Sequence, residues 1–301
     1  MMKINLFPDE LPNEEFTMEE LQQALDQVMN DKNGQPVPEF EGYSPSEMFN
    51  ILHHPLEESS VVYLRKLKKD DYVQSPLYMQ IKSLAEIIKR EGTVKLTPNG
   101  YLPPKLVIEL YNLGYFKEDN IEQGYVKLKR ENDSDIISLA HYILVSSGVC
   151  LKRHSKLSLT LKGRKLLESD ADLFKHLFLF FVHRFNWSSF DNWGMEEVGQ
   201  FGVAFSLILV NKYGDQSKTS EFYAEKYINA FPMLIDSFEA AVPGTLEGFF
   251  TRCYCSRTFN RFLSYWGLIN IDRQGKAFDT VEYITKTPLF DKLVVCVPPD
   301  K

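Results

Sequence analysis

Residues 135–168 read DIISLAHYILVSSGVCLKRHSKLSLTLKGRKLLE, and this segment determines the expected architecture of the chain. Apolar residues recur at helical spacing up to Gly148, which closes a helix. Two short apolar runs, Val149–Leu151 and Leu157–Leu161, then predict a β-hairpin that turns around His154-Ser155. A further helix begins directly after the hairpin. The segment therefore predicts a helix, a hairpin and a second helix in that order.

The C-terminal part of the chain repeats this order. A predicted helix ends at Gly267, which corresponds to Gly148, and a second hairpin follows it. After the hairpins, Thr160-Leu161-Lys162 corresponds to Ile284-Thr285-Lys286. A helix followed by a β-hairpin is the order at the recognition end of a winged-helix unit. The sequence thus predicts two winged-helix-like units.

The predicted fold class is mainly α (α+β), with two winged-helix-like units and small β-hairpins around a central aromatic helical layer. We expect the layer because Leu173–Phe185 is apolar nearly all round, and because residues 174–205 contain ten Phe or Trp. A core explains these residues more simply than the alternative, a ligand pocket lined by Trp187, Phe190 and Trp193. The predicted domains are an acidic helical N-terminal segment 1–72, a winged-helix-like domain 73–169, the helical layer 170–240 and a second winged-helix-like unit 241–301.

Charge is distributed unevenly along the chain. The net charge is −7, and residues 1–50 contain eleven acids against only Lys3 and Lys32. Glu14–Asn30 is predicted to be an acidic amphipathic helix, and one hypothesis is that this segment covers the basic hairpin. An acidic chain is poorly suited to coating nucleic acid without specificity, because such binding requires clustered positive charge.

The compartment is predicted from cysteine usage and hydropathy. The four cysteines form no CxxC pair, the N-terminus has no secretory signal pattern, and the longest apolar centre, Val198–Val210, is too short to span a bilayer. We therefore expect a soluble, cytoplasmic protein with reduced thiols and no membrane partner.

Two motifs suggest a family. KLTPNGYLPPKLV at residues 95–107 precedes LVSSGVCLKRHSKLSLTLKGRKLLESDADLFKHL at residues 144–177. Over about residues 80–177 the chain resembles the uncharacterised winged-helix-like C-terminal region of bacterial plasmid-type open-reading-frame proteins. The resemblance implies a bacterial source and a winged-helix-like architecture. It implies no catalytic residue, since the matching region has no assigned chemistry.

The candidate binding surface is the basic hairpin with the helix start that follows it. Residues 141–167 contain no acid. Their six Lys and Arg residues, predicted to contact nucleic acid, are Lys152, Arg153, Lys156, Lys162, Arg164 and Lys165. Such a surface could lie along a phosphate backbone. The helix before it offers His141 and Tyr142 but no Arg, Lys, Asn or Gln to read bases. The alternative is that the lysines only keep a solvated sheet edge from pairing, or contact a protein.

Other candidate sites have simpler structural explanations. Asn260 and Arg261 could read bases in the second unit, although aromatic residues surround them. His176 and His183 lie seven residues apart, whereas helical zinc ligands usually lie four apart, and no HExxH motif is present. Cys253 and Cys255 point apart on a helix. Glu196-Glu197 fits a helix N-terminus. We predict no metal, no cofactor and no catalytic residue.

Three functions remain in view. The leading prediction is a non-enzymatic winged-helix-like interaction scaffold with a protein partner, in which the would-be recognition helices are buried against the central layer. A DNA-binding regulator would instead place its basic residues on one exposed surface beside an uncovered helix. An enzyme with a dispersed site would show a pocket with converging ionisable groups, near His176, His183, Glu196 and Glu197.

Overall fold

The structure, a computed structural model, describes residues 17–191, 193, 197–236, 245–275 and 280–299. Contacts divide the chain into two compact units, residues 1–49 with 298–301 and residues 50–297. The fold is mainly α with small antiparallel sheets, as predicted. Residues 73–297, predicted as three domains, all lie in the second unit. In the described part of the chain, no helix has the length and apolarity needed to cross a membrane.

The N-terminal unit contains the predicted acidic helix. This helix, α1 (Met18–Asn33), is followed by a short 3-10 turn (Pro38–Phe40) and by the start of α2 (Pro45–His53). Every α1 side chain that the structure describes is exposed. Residues 14–16 of the predicted helix lie outside the described residues.

A first three-stranded sheet lies in the segment that follows. Its helices and strands are α3 (Pro76–Glu91), β2 (Val94–Lys95), α4 (Pro104–Asn112), α5 (Asp119–Glu122), α6 (Asp135–Ser146), β3 (Cys150–Arg153), β4 (Lys156–Leu159) and α7 (Leu161–Leu166), after an earlier strand β1 (Val62–Leu64). The antiparallel sheet has the order β2-β4-β3. Apolar faces of α3 and α6 pack against each other beneath this sheet and form its core.

The C-terminal segment repeats this arrangement over a longer range than predicted. Its elements are α8 (Asp170–His183), α9 (Val203–Tyr213), β5 (Lys218–Thr219), α10 (Ser220–Ala230), α11 (Met233–Asp236), α12 (Leu246–Cys255), a π-helix (Ser256–Leu263), β6 (Ile269–Gln274), β7 (Val281–Lys286), α13 (Pro288–Leu293) and β8 (Val294–Cys296). The second sheet has the order β5-β7-β6. Because β5 pairs with β7, this sheet crosses the predicted boundary at residue 240.

Equivalent hydrogen bonds show which residues correspond in the two hairpin units, which are the segment around the β3–β4 hairpin and the segment around the β6–β7 hairpin. The Thr160 hydroxyl donates to the Gly148 carbonyl at 2.8 Å, and the Thr287 hydroxyl donates to the Gly267 carbonyl at 2.7 Å. Each threonine also caps the next helix, α7 or α13. Thr160 therefore corresponds to Thr287, and the predicted alignment with Ile284 was wrong by three residues. The correspondence of Gly148 with Gly267 agrees with these bonds.

The aromatic layer joins the two hairpin units. Leu173, Phe174, Leu177, Phe178, Phe181 and Val182 on α8 are buried. Trp266, which follows the π-helix and is fully buried, packs edge-on against Phe178 with ring centroids 4.8 Å apart. Strands β1 and β8 pair antiparallel and so bring together the beginning and the end of the larger unit.

Candidate interaction surface

The basic hairpin is a tight, exposed structure. Arg153 pairs with Lys156, so that His154 and Ser155 form a two-residue turn. Both turn residues have positive φ, 49° and 54°, which is the signature of a type I′ turn. The six predicted contact residues are all exposed, namely Lys152, Arg153, Lys156, Lys162, Arg164 and Lys165. Within the described part of the chain, none of them belongs to an ion pair.

Strand pairing aligns three cations on one face of the first sheet. Lys95 pairs with Lys156, and Lys156 pairs with Arg153, so the three residues lie directly opposite one another across β2, β4 and β3. Neighbouring strands lie about 4.8 Å apart, and like charges facing each other at this spacing are destabilising. We call Lys95, Lys156 and Arg153 the cation row. The exposed Lys95 is a member that the sequence analysis missed.

Lys152 lies on the opposite face of the same sheet. It pairs with the buried Leu157, and its ammonium group donates to the Gly100 carbonyl at 3.3 Å. The other three predicted residues, Lys162, Arg164 and Lys165, are exposed on α7. The six predicted cations therefore divide between the two faces of a hairpin and a helix.

The contact between the hairpin and α7 depends on Gly163. A Cβ atom at this position would lie 2.0 Å from the Val149 carbonyl oxygen, a distance that no real side chain tolerates. Gly163 also donates to the Thr160 hydroxyl at 2.9 Å. The close approach fixes the direction in which α7 leaves the sheet.

Apolar side chains accompany the cations. Leu151 is 52% exposed and lies two residues before Arg153 in β3, hence on the same face of the sheet. Leu161, the first residue of α7, is 87% exposed. An exposed cationic surface that also contains leucines suits a ligand with both negative charge and apolar groups.

The would-be recognition helix α6 is covered over most of its length. His141 is buried, with its Nδ1 atom 2.9 Å from the Glu131 carboxylate. Tyr142 packs edge-on against Phe185 and Phe190 of the aromatic layer. Of the two side chains that the sequence offered for base contacts, His141 is therefore buried, and Tyr142 is 43% exposed with its ring held against the aromatic layer.

The N-terminus of α6 is covered as well, although recognition helices contact bases with this end. The buried Glu118 carboxylate accepts a hydrogen bond from the Asp135 backbone N–H at 2.7 Å and another from the Ser134 hydroxyl. Burial raises the pKa of Glu118, while these hydrogen bonds act in the opposite direction. A carboxyl group therefore occupies the position that a phosphate would need.

The corresponding helix of the second unit is packed on most sides. Phe250, Cys253, Tyr254, Phe259 and Phe262 are buried along α12 and the π-helix. Asn260 donates to Glu282 at 3.0 Å and accepts from Arg273 at 2.8 Å. Arg261 donates to the Phe190 carbonyl and lies 3.8 Å from the Asp135 carboxylate. These two polar residues join parts of the protein rather than present a base-reading edge.

The residues proposed for a dispersed enzyme site are only partly brought together. A groove of about 450 Å³ is lined by His183, Arg184 and Glu197 among other residues. His176 is not in its lining, and its Nε2 atom lies 2.9 Å from the Ser147 carbonyl. Among the described residues, the three ionisable groups of the groove form no hydrogen bond with one another. Glu196 lies outside the described residues.

The cysteines of α12 and the aromatic cluster around Trp187 are largely buried. Burial raises the pKa of the Cys253 and Cys255 thiols to about 12, so both stay protonated at neutral pH. Trp187 and Phe190 line a cavity of only about 20 Å³, close to the volume needed for one water molecule. Trp187 is buried and donates to the Phe181 carbonyl at 2.9 Å. Trp187 is therefore part of the core, whereas Phe190 and Trp193 are half-buried, and Trp193 packs edge-on against Phe249.

Replacing Ser155 with glycine is expected to raise the free energy of unfolding by about 0.5–1 kcal/mol. A left-handed backbone is costly for residues with a Cβ atom and easy for glycine. Urea denaturation measures the change. The matched control is Ser158→Gly in the extended strand β4, where glycine should cost a similar amount instead. Equal losses from both substitutions would contradict the turn assignment.

Comparison with known proteins gave no match, whether with protein-family models, curated sequences or solved structures. The resemblance to plasmid-type open-reading-frame proteins therefore stays a prediction, and so does the winged-helix assignment of the two hairpin units.

Proposed function

We propose that the chain is a cytoplasmic, non-enzymatic interaction scaffold, built on two winged-helix-like units, that contacts a protein partner through the face of the first sheet. The observation that carries the proposal is that both would-be recognition helices are mostly packed against the protein. His141 of α6 is buried, Tyr142 is 43% exposed but has its ring against Phe185 and Phe190, and most of α12 with the π-helix is buried. The hairpin, by contrast, is exposed, together with the cation row and Leu151.

A second candidate function is contact with DNA through the hairpin alone. The cation row favours it, because three aligned positive charges can neutralise phosphates without reading bases. The net charge of −7 and the exposed leucines favour a protein partner instead.

Fluorescence anisotropy with random double-stranded DNA across a salt series separates these two functions. The scaffold predicts no measurable binding at physiological salt, since three contacts on an acidic protein give little affinity. Binding with a log–log salt slope of about −3, abolished by Arg153→Glu with Lys156→Glu, would establish DNA contact through the row. A preferred DNA sequence bound roughly 1,000-fold tighter than random DNA would contradict the scaffold, since that preference requires exposed base-reading residues.

A further inference from the structure

We propose that the face of the first sheet binds helix α1 of a second copy of this chain; this rests on the proposed function and names the partner. The occupied surface would be the cation row together with Leu151. The ligand would be the acidic, apolar face of α1.

Among the side chains of helix α1 that the structure describes, the apolar ones are exposed. Leu25, Val28 and Met29 follow helical i, i+3, i+4 spacing and are 56%, 48% and 59% exposed. Isolated helices of about this length are marginal in water, and packing of an amphipathic face supplies most helical stability in proteins. The helix therefore gains stability from any surface that covers these residues.

The charge on α1 complements the cation row. Glu19 and Asp26 lie seven residues apart, on the same side of the helix, and both are exposed. The sheet presents positive side chains beside Leu151, and α1 presents carboxylates beside Leu25. Ion pairs between the two surfaces would also relieve the repulsion among Lys95, Lys156 and Arg153.

A reciprocal arrangement closes the assembly. If α1 of each chain binds the sheet of the other, one two-fold axis generates two identical contacts and no free binding surface remains. The second contact then forms within the same complex, which raises the overall affinity. The expected species is a dimer that weakens as salt is added.

A charge-swap experiment tests the proposal with full-length protein. One variant has Arg153→Glu and Lys156→Glu, and the other has Glu19→Lys and Asp26→Lys. Sedimentation velocity over a concentration series measures the dimer dissociation constant of each. We expect a concentration-dependent dimer for the unmodified chain, and a dissociation constant at least about tenfold higher for each variant alone. The equimolar mixture of the two variants should restore the dimer, because its contacts have opposite charges again.

Lys152→Glu is the matched control, since it reverses a charge in the same hairpin on the opposite face. It should leave the dissociation constant within about twofold of that of the unmodified chain. A chain that stays monomeric at low salt overturns the proposal, as does a dimer that both double variants retain or one that the mixture does not restore. Loss of random-DNA binding in the Arg153→Glu, Lys156→Glu variant of a monomeric chain would assign the face to phosphates. Sequence-specific DNA binding would instead overturn the proposed function.

Discussion

Replacing Asp191 with alanine is expected to lower the free energy of unfolding by about 3–5 kcal/mol. The Asp191 carboxylate accepts two hydrogen bonds from Arg257, at 2.7 Å from Nε and 2.9 Å from Nη2. The side chains are only 1% (Arg257) and 3% (Asp191) exposed. Since the substitution leaves the guanidinium buried without this carboxylate, most of the loss reflects the desolvated charge that remains.

Urea denaturation compares this variant with Asp135→Ala. The Asp135 carboxylate lies 3.8 Å from Arg261, and both side chains are partly exposed, so its loss should cost less than about 1 kcal/mol. The double variant Asp191→Leu, Arg257→Met should recover much of the stability, because both charges of this ion pair are removed together. If Asp191→Ala lowered the free energy of unfolding no more than Asp135→Ala does, the buried ion pair would contribute no more to stability than the exposed one.

Replacing Trp266 with alanine is expected to destabilise the protein by about 3–5 kcal/mol. Its ring is fully buried and contacts three phenylalanines of α8, with centroids 5.3 Å from Phe174, 4.8 Å from Phe178 and 5.9 Å from Phe181. The substitution opens a cavity where the second hairpin unit packs on the aromatic layer. Denaturation followed by circular dichroism measures the effect without relying on tryptophan fluorescence.

Trp266→Phe is the control for this prediction. The buried Nε1–H of Trp266 has no hydrogen-bond acceptor among the described residues. Replacing the indole by a phenyl ring therefore breaks no hydrogen bond within that part of the chain. A smaller ring still fills most of the space, and we expect a cost below about 1.5 kcal/mol. Equal effects of alanine and phenylalanine would show that packing of the ring contributes little.

Local signals in the sequence were sufficient for the first hairpin unit. The apolar spacing of α6, the stop at Gly148 and the turn at His154-Ser155 all lie where they were predicted. Each depends on residues close together in the chain, whose backbone preferences are independent of distant contacts. The prediction that the central aromatic residues form a core was confirmed for most of them, and the buried positions of α8 recur at helical spacing.

The features that the sequence analysis missed depend on pairing between strands that lie far apart in the chain. Lys95 entered the sequence analysis only as the first residue of a motif, and it is the pairing with Lys156 that places Lys95 in the cation row. The equivalence of Thr160 and Thr287 depends on the longer second hairpin, which a comparison of short motifs aligned three residues early. Strand β5 is only two residues long, and neither it nor the π-helix leaves a periodic pattern to detect.

The pairing of β1 with β8 affects how the protein is made. Val62 emerges from the ribosome early, whereas its partner Cys296 is among the last residues of the larger unit to be synthesised. The strands of the first three-stranded sheet all lie within residues 94–159, so this sheet can form well before Cys296 is synthesised. Until β8 is synthesised, β1 lacks the strand with which it pairs, and unpaired strand edges favour aggregation.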